Sequence, residues 1–524
     1  MFLRAILGMV VVGLILGFAG IGVYSAQIVQ SKDTFVMGVE NDIPTLDPNA
    51  AMGFSAISVW AEMYQALVTV SGLDWHIVPG LAESWENPDP LTWKFRLRPG
   101  VKFHNGQVLT AQDFAYSAGR ILGTVDPKYP GFARRLYQDL IASVETPNDR
   151  TVIVKTRRPE ASFIHQIGGI FIVPKAYAEK VGAEELAKSP VGTGNYKFKE
   201  RRIGESITLE AFPDYWNQHP KEGEIGPAGP KYAAFKIIPE MQTRIAALKA
   251  GEISAAMGIN MDMARDLEKT RIINVYYTAI NLPQYIMCNW RAKTDPQTGA
   301  PNPLCDLRVR QAMGHAVDVE ALIKNYLTGR EYRTTLVGKG AIGYSPNVFS
   351  YGYNPEKAKA LLKEAGYPKG FPLTFFVLQD VRPEIEALAQ YWRDVGIDVK
   401  FQPTTTSVVI RQVIKKQLYG CTFWISGRGS DTVKGQAIML MYDGQYAIHG
   451  ENKKVEEMVE AQQHEMDEAK RARLIHEMFE IIRKEAWFVP LWEPVAIRAI
   501  RAEWEYKNLP AVAGIWLSNV KRKP

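Results

Sequence analysis

Apolar and polar positions change period several times along the chain. In LTWKFRLRPGVKFHNG, residues 91–106, Trp93, Phe95 and Leu97 alternate with Lys94, Arg96 and Arg98. Period-two alternation predicts a strand with one face buried and the other wet. Pro99-Gly100 turns the chain and Asn105-Gly106 turns it again. The period then becomes helical. TAQD at 110–113 has the form of a capping box, and Phe114, Ala118, Ile121 and Leu122 fall on one face. TVIVKT at 151–156, after Asn148-Asp149, reads as a further strand.

The second half alternates strands and helices. Asn354-Pro355 caps a helix with Ala358, Leu361, Leu362 and Ala365 inward, and Gly366 stops it. PLTFFVL at 372–378 reads as a strand, 383–394 as a helix ending at Gly396, and IDVKFQP as another strand. This run implies an α/β lobe. Residues 451–485 are highly charged, yet Val455, Met458, Val459, Leu474, Met478, Ile481 and Ile482 form apolar stripes. They read as one or two amphipathic helices on the lobe surface. No repeat of fixed period and no low-complexity tract interrupts the pattern.

The amino terminus departs from it. Arg4 is the only charge before Lys32, and AILGMVVVGLILGFAGIGVYSA lies between them. A signal-peptide core has about 7–15 apolar residues and a membrane-spanning helix about 20. This stretch falls between, so two readings stay open for 1–26: an export signal cleaved near Ser25-Ala26, or a retained single-span anchor. No Cys follows, so the chain is not expected to be a lipoprotein. Either way the remainder faces an oxidising, extracytoplasmic space.

Length and composition narrow the classes. A chain of 524 residues predicts two to four domains. Its 46% hydrophobic and 23% charged residues exclude a disordered or multi-span membrane chain. The net charge of +6 is small, and apart from Lys521-Arg522-Lys523 the cations are dispersed, so no nucleic acid partner is implied. Of the three Cys, Cys288 and Cys305 bracket the polar loop NWRAKTDPQTGAPNPL, which a disulfide would suit; two buried thiols are the alternative. The eight His make no metal-ligand spacing, and there is no G-x-x-x-x-G-K-[ST] or G-x-S-x-G. The chain is not expected to be an enzyme or to carry a metal or cofactor.

Residues 81–122, LAESWENPDPLTWKFRLRPGVKFHNGQVLTAQDFAYSAGRIL, resemble the signature region of the family 5 extracellular solute-binding proteins of ABC importers. The similarity continues in order through TLDP (45–48), VGTGNYKF (191–198), FPDYWN (212–217), RIAALKAGEIS (244–254), DLRVRQAMGHAVDVEALI (306–323) and YNPEKAKALLKEAGYPKGFPL (353–373). The resemblance implies a mixed α/β, type II-like periplasmic-binding-protein clamshell with two lobes and an inserted subdomain. Lobe I would comprise 33–70, 190–287 and 490–524, the insert 71–189, and lobe II 288–489. Crossovers would lie near 285–289 and 489–493. The implied partners are a peptide or other small-molecule ligand, an ABC permease and its ATPase. The chain would be a monomer that meets the membrane through the permease or its own N-terminal anchor.

The resemblance also implies site residues. In peptide-binding relatives the strand matching YGCTFWISGRGSD, 419–431, ends in a Trp, followed closely by an Asp that holds the ligand ammonium. Trp424 matches the Trp. The Asp position falls on Gly427 or Arg428, and Asp431 comes a few residues later. A cation at 428 would repel a free peptide N-terminus, which favours an anionic or neutral polar ligand end such as an opine, a sugar conjugate or an oligosaccharide. Arg382 resembles an Arg that pairs with the ligand carboxylate. Trp492 and Tyr285 stand at the crossovers, and Asn49, Met52 and Phe54 lie in a loop that approaches the cleft in the family. Each also has a plain alternative: Arg428 and Arg382 as solvated surface cations, the aromatics as packing.

Overall fold

The computed structural model describes residues 32–524 except 51–53, 132–133, 297, 334–335, 339–340, 345–350, 379–380, 426–436, 438 and 510–513. Among the described residues three large sheets organise the chain. The first has seven strands in the spatial order Ile273–Ala279, Val495–Arg501, Ala255–Met257, Thr34–Val39, Tyr232–Ile237, Ser206–Ala211 and Tyr196–Arg202. Thr34–Val39 runs parallel to both of its neighbours and is buried on both faces. Its alternate residues serve two cores, as period two requires. Phe35 and Met37 join Phe235 and Leu209 on one face, and Val36 joins Ala234, Leu248 and Ala256 on the other.

The second sheet has the order Ile397–Thr404, Phe371–Leu378, Cys421–Ile425, Gln284–Cys288, Phe488–Pro490. Its first three strands are parallel, and Gln284–Cys288 runs antiparallel to both of its neighbours. The helix Arg382–Asp394 connects two of the parallel strands, which a hairpin cannot do. Trp392 from this helix is fully buried, and its indole N–H donates to the Met313 carbonyl at 3.0 Å. The charged stretch near the C-terminus forms two helices, Lys453–His464 and Glu468–Lys484, whose apolar stripes pack onto this unit.

The third sheet is antiparallel: Ala82–Asp89, Thr92–Leu97, Thr151–Thr156, Ile141–Asn148. Trp93, Phe95 and Leu97 are buried, while Lys94 and Arg96 reach Glu86 and Glu83 on the wet face. The helix Ala111–Leu122 starts at a reciprocal cap: the Thr110 N–H donates to the Asp113 carboxylate at 2.8 Å, and the Asp113 N–H to the Thr110 carbonyl at 3.1 Å.

The chain passes between the first two sheets at 280–283 and at 491–494. The Ile280 N–H donates to the Pro494 carbonyl, the Leu491 N–H to the Gln284 carbonyl, and the Asn281 N–H to the Glu493 carboxylate at 2.6 Å. The first crossover therefore precedes the 285–289 stretch named from the sequence. Within Gln284–Cys288, residues 285–287 pair on both edges in the second sheet, so the strand belongs to that sheet rather than to the crossover.

The disulfide also differs from the sequence reading. Cys288 bonds to Cys421, its direct partner across the antiparallel strands, and Cys305 is free. The polar loop that a Cys288–Cys305 bridge would have closed is tied by Asn302 instead. Its side-chain amide donates to the carbonyls of Asn289 and Ala292 at 2.9 and 2.7 Å.

Candidate ligand-binding cleft

Strand direction places the site. In the first sheet Thr34–Val39, Tyr232–Ile237 and Ala255–Met257 end on the same side, and Ile273–Ala279 ends there too before the first crossover. In the second sheet Cys421–Ile425 ends where Gln284–Cys288 begins, since Gln284 pairs with Ile425. Phe371–Leu378, parallel to Cys421–Ile425, ends on the same side. Both sheets thus direct the carboxyl ends of their parallel strands toward the crossovers. Ligands of open α/β sheets bind outside those ends, where the loops diverge.

Of the candidate residues, Tyr285 and Trp424 lie on strands of the second sheet at that end. Tyr285 and Trp424 are directly paired across the strands, and Tyr285 pairs on its other side with Pro490, two residues before Trp492. Trp424 is half-buried, its ring 5.3 Å from that of Tyr446. Trp492 is nearly covered and belongs to a two-stranded ribbon with Tyr332–Arg333. Tyr285 is fully buried against Phe488, with rings 4.9 Å apart, and its hydroxyl donates to the Met439 sulfur at 3.1 Å. Burial holds that phenol well above its usual pKa. Tyr285 therefore supports the edge from beneath and presents no open face.

Arg382 opens its helix four residues after Leu378, and its Nε donates to Glu386 at 2.7 Å, one turn along. Asn49 is not free for a ligand. Its side chain donates to the Phe171 carbonyl at 2.8 Å and accepts from the Phe171 N–H at 3.2 Å, and it is 5% exposed. Gly427, Arg428, Asp431, Met52 and the Phe54 side chain lie outside the described residues.

A second contact joins the insert to the second sheet's helices, and the sequence reading missed it. The Ala161 N–H donates to the Gln463 carbonyl at 2.9 Å, and the His464 ring Nδ1 lies 2.6 Å from the Pro159 carbonyl. Met466, in the turn between the helices, packs against the core of the four-stranded unit. Glu160, Ser162, Gln462 and Arg471 are all buried around this contact. Arg471 donates to the side-chain oxygen of Gln462 at 2.9 Å, and Ser162 donates to Glu160 at 2.5 Å. The available signal was Arg471 itself, spaced four residues before Ile475 on the buried stripe. Read alone, it looks like one more charge on a charged helix.

A groove of about 420 Å³ lies beside the crossovers, lined by Tyr277, Ala279, Arg330, Glu331, Tyr332 and Val495. The Arg330 guanidinium sits 4.0 Å from the Tyr277 ring. Among the described residues no group of three or more His, Cys, Asp or Glu gathers as metal ligands would.

The profile of the "bacterial extracellular solute-binding proteins, family 5 middle" matches residues 76–448. The chain belongs to family 5 of these solute-binding proteins. The dipeptide-binding protein of Escherichia coli K12 is 31% identical over 417 residues, covering 74% of each chain. The substrate-binding protein CtaP of Listeria monocytogenes superposes with a TM-score of 0.82 at 22% identity, over 93% of this chain and 99% of that one. The periplasmic protein DppA of Helicobacter pylori, solved with the peptide STSA, superposes at 0.73 with 26% identity, over 94% and 98%. The fold of this family 5 member is the two-lobed periplasmic-binding-protein clamshell. Its role is that of the substrate-binding component of an ABC importer.

Proposed function

We propose that this family 5 protein captures a peptide-like solute between its lobes and presents it to the permease, whose ATPase drives import. Lobe I would be 33–70, 190–287 and 490–524 with the insert 71–189, and lobe II 288–489. The lobe II sheet would begin a few residues earlier, at Gln284. What supports this reading is the pairing of Trp424 with Tyr285 at the carboxyl end of the second sheet, next to both crossovers, with Trp492 at the return crossover and Arg382 opening the helix after Phe371–Leu378.

Closure is where the free energy enters. A cleft between lobes is solvated when open, and contacts to both lobes exist only when it is shut. Moving the equilibrium from 1:99 to 99:1 needs about 5.5 kcal/mol of preference for the closed state. Aromatic stacking on Trp424 and charge-assisted hydrogen bonds supply energies of that order. Arg382 would exchange Glu386 for a ligand carboxylate, at little cost because the pair is half-exposed. Nothing in this role calls for catalysis, a metal or a cofactor. The protein would act as an extracytoplasmic monomer.

The non-peptide reading rests on Gly427 and Arg428, one of which stands in the sequence where an ammonium-binding carboxylate is expected. Native mass spectrometry of protein purified without unfolding should reveal a co-purified ligand whose mass separates peptide from sugar conjugate. Calorimetry with that ligand should show Trp424→Ala weakening binding at least tenfold. An unchanged affinity would remove Trp424 from the site. A sugar or opine mass would replace the peptide reading.

A further inference from the structure

No motif named Tyr446, yet the fold sets its ring 5.3 Å from that of Trp424, with the two planes tilted by 57°. Both side chains are half-buried. Trp424 is the last residue but one of the strand Cys421–Ile425, at the end that faces the crossovers. Tyr446 comes from the loop 441–450, which is built of turns and belongs to no strand or helix.

That loop is fastened at many points. The Lys416 ammonium donates to the carbonyls of Gly444 and Gln445 at 2.5 and 3.1 Å. The Arg291 guanidinium donates to the Tyr442 carbonyl at 2.6 Å and lies 3.6 Å from the Tyr442 ring. The Tyr442 N–H donates to the Glu456 carboxylate at 2.9 Å. At the far end the N–H groups of Trp290 and Arg291 both donate to the Ile448 carbonyl at 3.1 Å, and the His449 Nε2 lies 2.7 Å from the Met439 carbonyl. Lys416 is itself held at φ +58°, a left-handed conformation uncommon for any residue but glycine. Such strain persists only where the surroundings over-determine it, and it gathers at ligand clamps. Tyr446, the residue so carefully held, stays partly exposed, and among the described residues nothing bonds its hydroxyl. The fold places this side chain for its ring.

Resting on the cleft reading above, we propose that Tyr446 and Trp424 are the two walls of a subsite for an aromatic or large aliphatic side chain of the captured peptide. The walls set that class. Two tilted rings leave a wedge with apolar faces, and a third ring entering it stacks on one wall and meets the other edge-on. Lys416 and Arg291 are turned to the loop's carbonyls, and their charge opposes a basic side chain. The fastening of the loop preorganises the subsite, since a wall fixed before the ligand arrives loses little conformational freedom on binding.

The test incubates the full native chain, freed of co-purified ligand by extended dialysis, with a tripeptide mixture randomised at every position. Mass spectrometry of the retained peptides is the readout. One position should be enriched about fivefold in Phe, Tyr, Trp, Leu and Ile, the size expected of an aromatic contact. Tyr446→Ala should still retain tripeptides but lose that enrichment, and Tyr446→Phe should keep it. The enrichment by the parent chain needs no substitution, so a folding defect in a variant leaves the test intact; melting curves check both variants. Retention without the enrichment overturns the subsite, as does enrichment that survives Tyr446→Ala in a folded protein. Retention of no tripeptide at all overturns the peptide reading, and the subsite with it.

Discussion

Glu62 shows how one residue's environment sets a measurable property. It lies in the last turn of the helix Phe54–Met63 and is 4% exposed. The Leu517 N–H donates to its Oε1 at 3.0 Å. Its Oε2 is a buried acceptor. Burial raises its pKa from 4.5 to about 7, outweighing the Leu517 N–H and the Asn195 side chain, which favour the charged form. The raised value sets the sign: the contribution is intact below about pH 4.5 and is lost as the pH climbs toward 7, to the extent of about 3 kcal/mol. Glu62→Gln keeps the Leu517 hydrogen bond without the charge. It should melt several degrees above the parent at pH 8 and level with it at pH 5; parallel pH profiles would refute the raised pKa. His104 runs in the opposite sense. Its Nδ1 accepts from the Gly192 N–H and its Nε2 donates to the Gly194 carbonyl, and desolvation lowers its pKa to about 4. It therefore costs stability as the pH falls below about 6.5, equally in both proteins. Asp47 in TLDP was legible only as a family motif; the structure makes it the buried acceptor of Arg120 and Tyr129.

At the scale of elements, local period was a sound guide where one face of a segment is buried against its own unit. The strands Thr92–Leu97, Thr151–Thr156 and Phe371–Leu378 and the helices Ala111–Leu122 and Pro355–Glu364 follow their patterns closely, because alternation and caps are local. The contact of 159–162 with 462–466 has no such signal. It joins a loop to the end of the helix Lys453–His464 about 300 positions away, and Glu160 and Arg471 are buried around it. This contact should bias the lobes toward the closed state. Ala161→Pro removes the donor to Gln463, and one hydrogen bond of about 1 kcal/mol corresponds to roughly fivefold in the closed population. Combined with Met466→Ala, it should weaken ligand binding three- to tenfold and raise the ligand-free radius of gyration in small-angle scattering. No change in either would mean the contact is incidental to closure.

At the scale of the whole molecule, the two crossovers form a paired hinge. The Asn281 N–H, on a residue with φ +41°, donates into the buried Glu493 carboxylate from the opposite crossover. Hinge segments absorb backbone rotation at a few positions, so losing this tie should change the open–closed balance more than the stability of either sheet. Glu493→Ala should shift ligand affinity about tenfold and alter the radius of gyration, with little loss of helix and strand signal in circular dichroism. A variant with native affinity would show that the hinge is set by the backbone pairs alone.

The amino-acid order determined the periodic elements and the family, and it named Trp424, Trp492, Tyr285 and Arg382 as candidates. Period, caps and motif spacing are properties of neighbouring residues, and the chain carries them in any conformation. Tertiary structure alone decided that Cys421 rather than Cys305 meets Cys288, that the first crossover precedes Tyr285, that Asn49 serves Phe171, and that Arg522 meets Lys32. Each depends on strand register or on surfaces meeting across hundreds of positions, and those contacts come into being only when the sheets assemble.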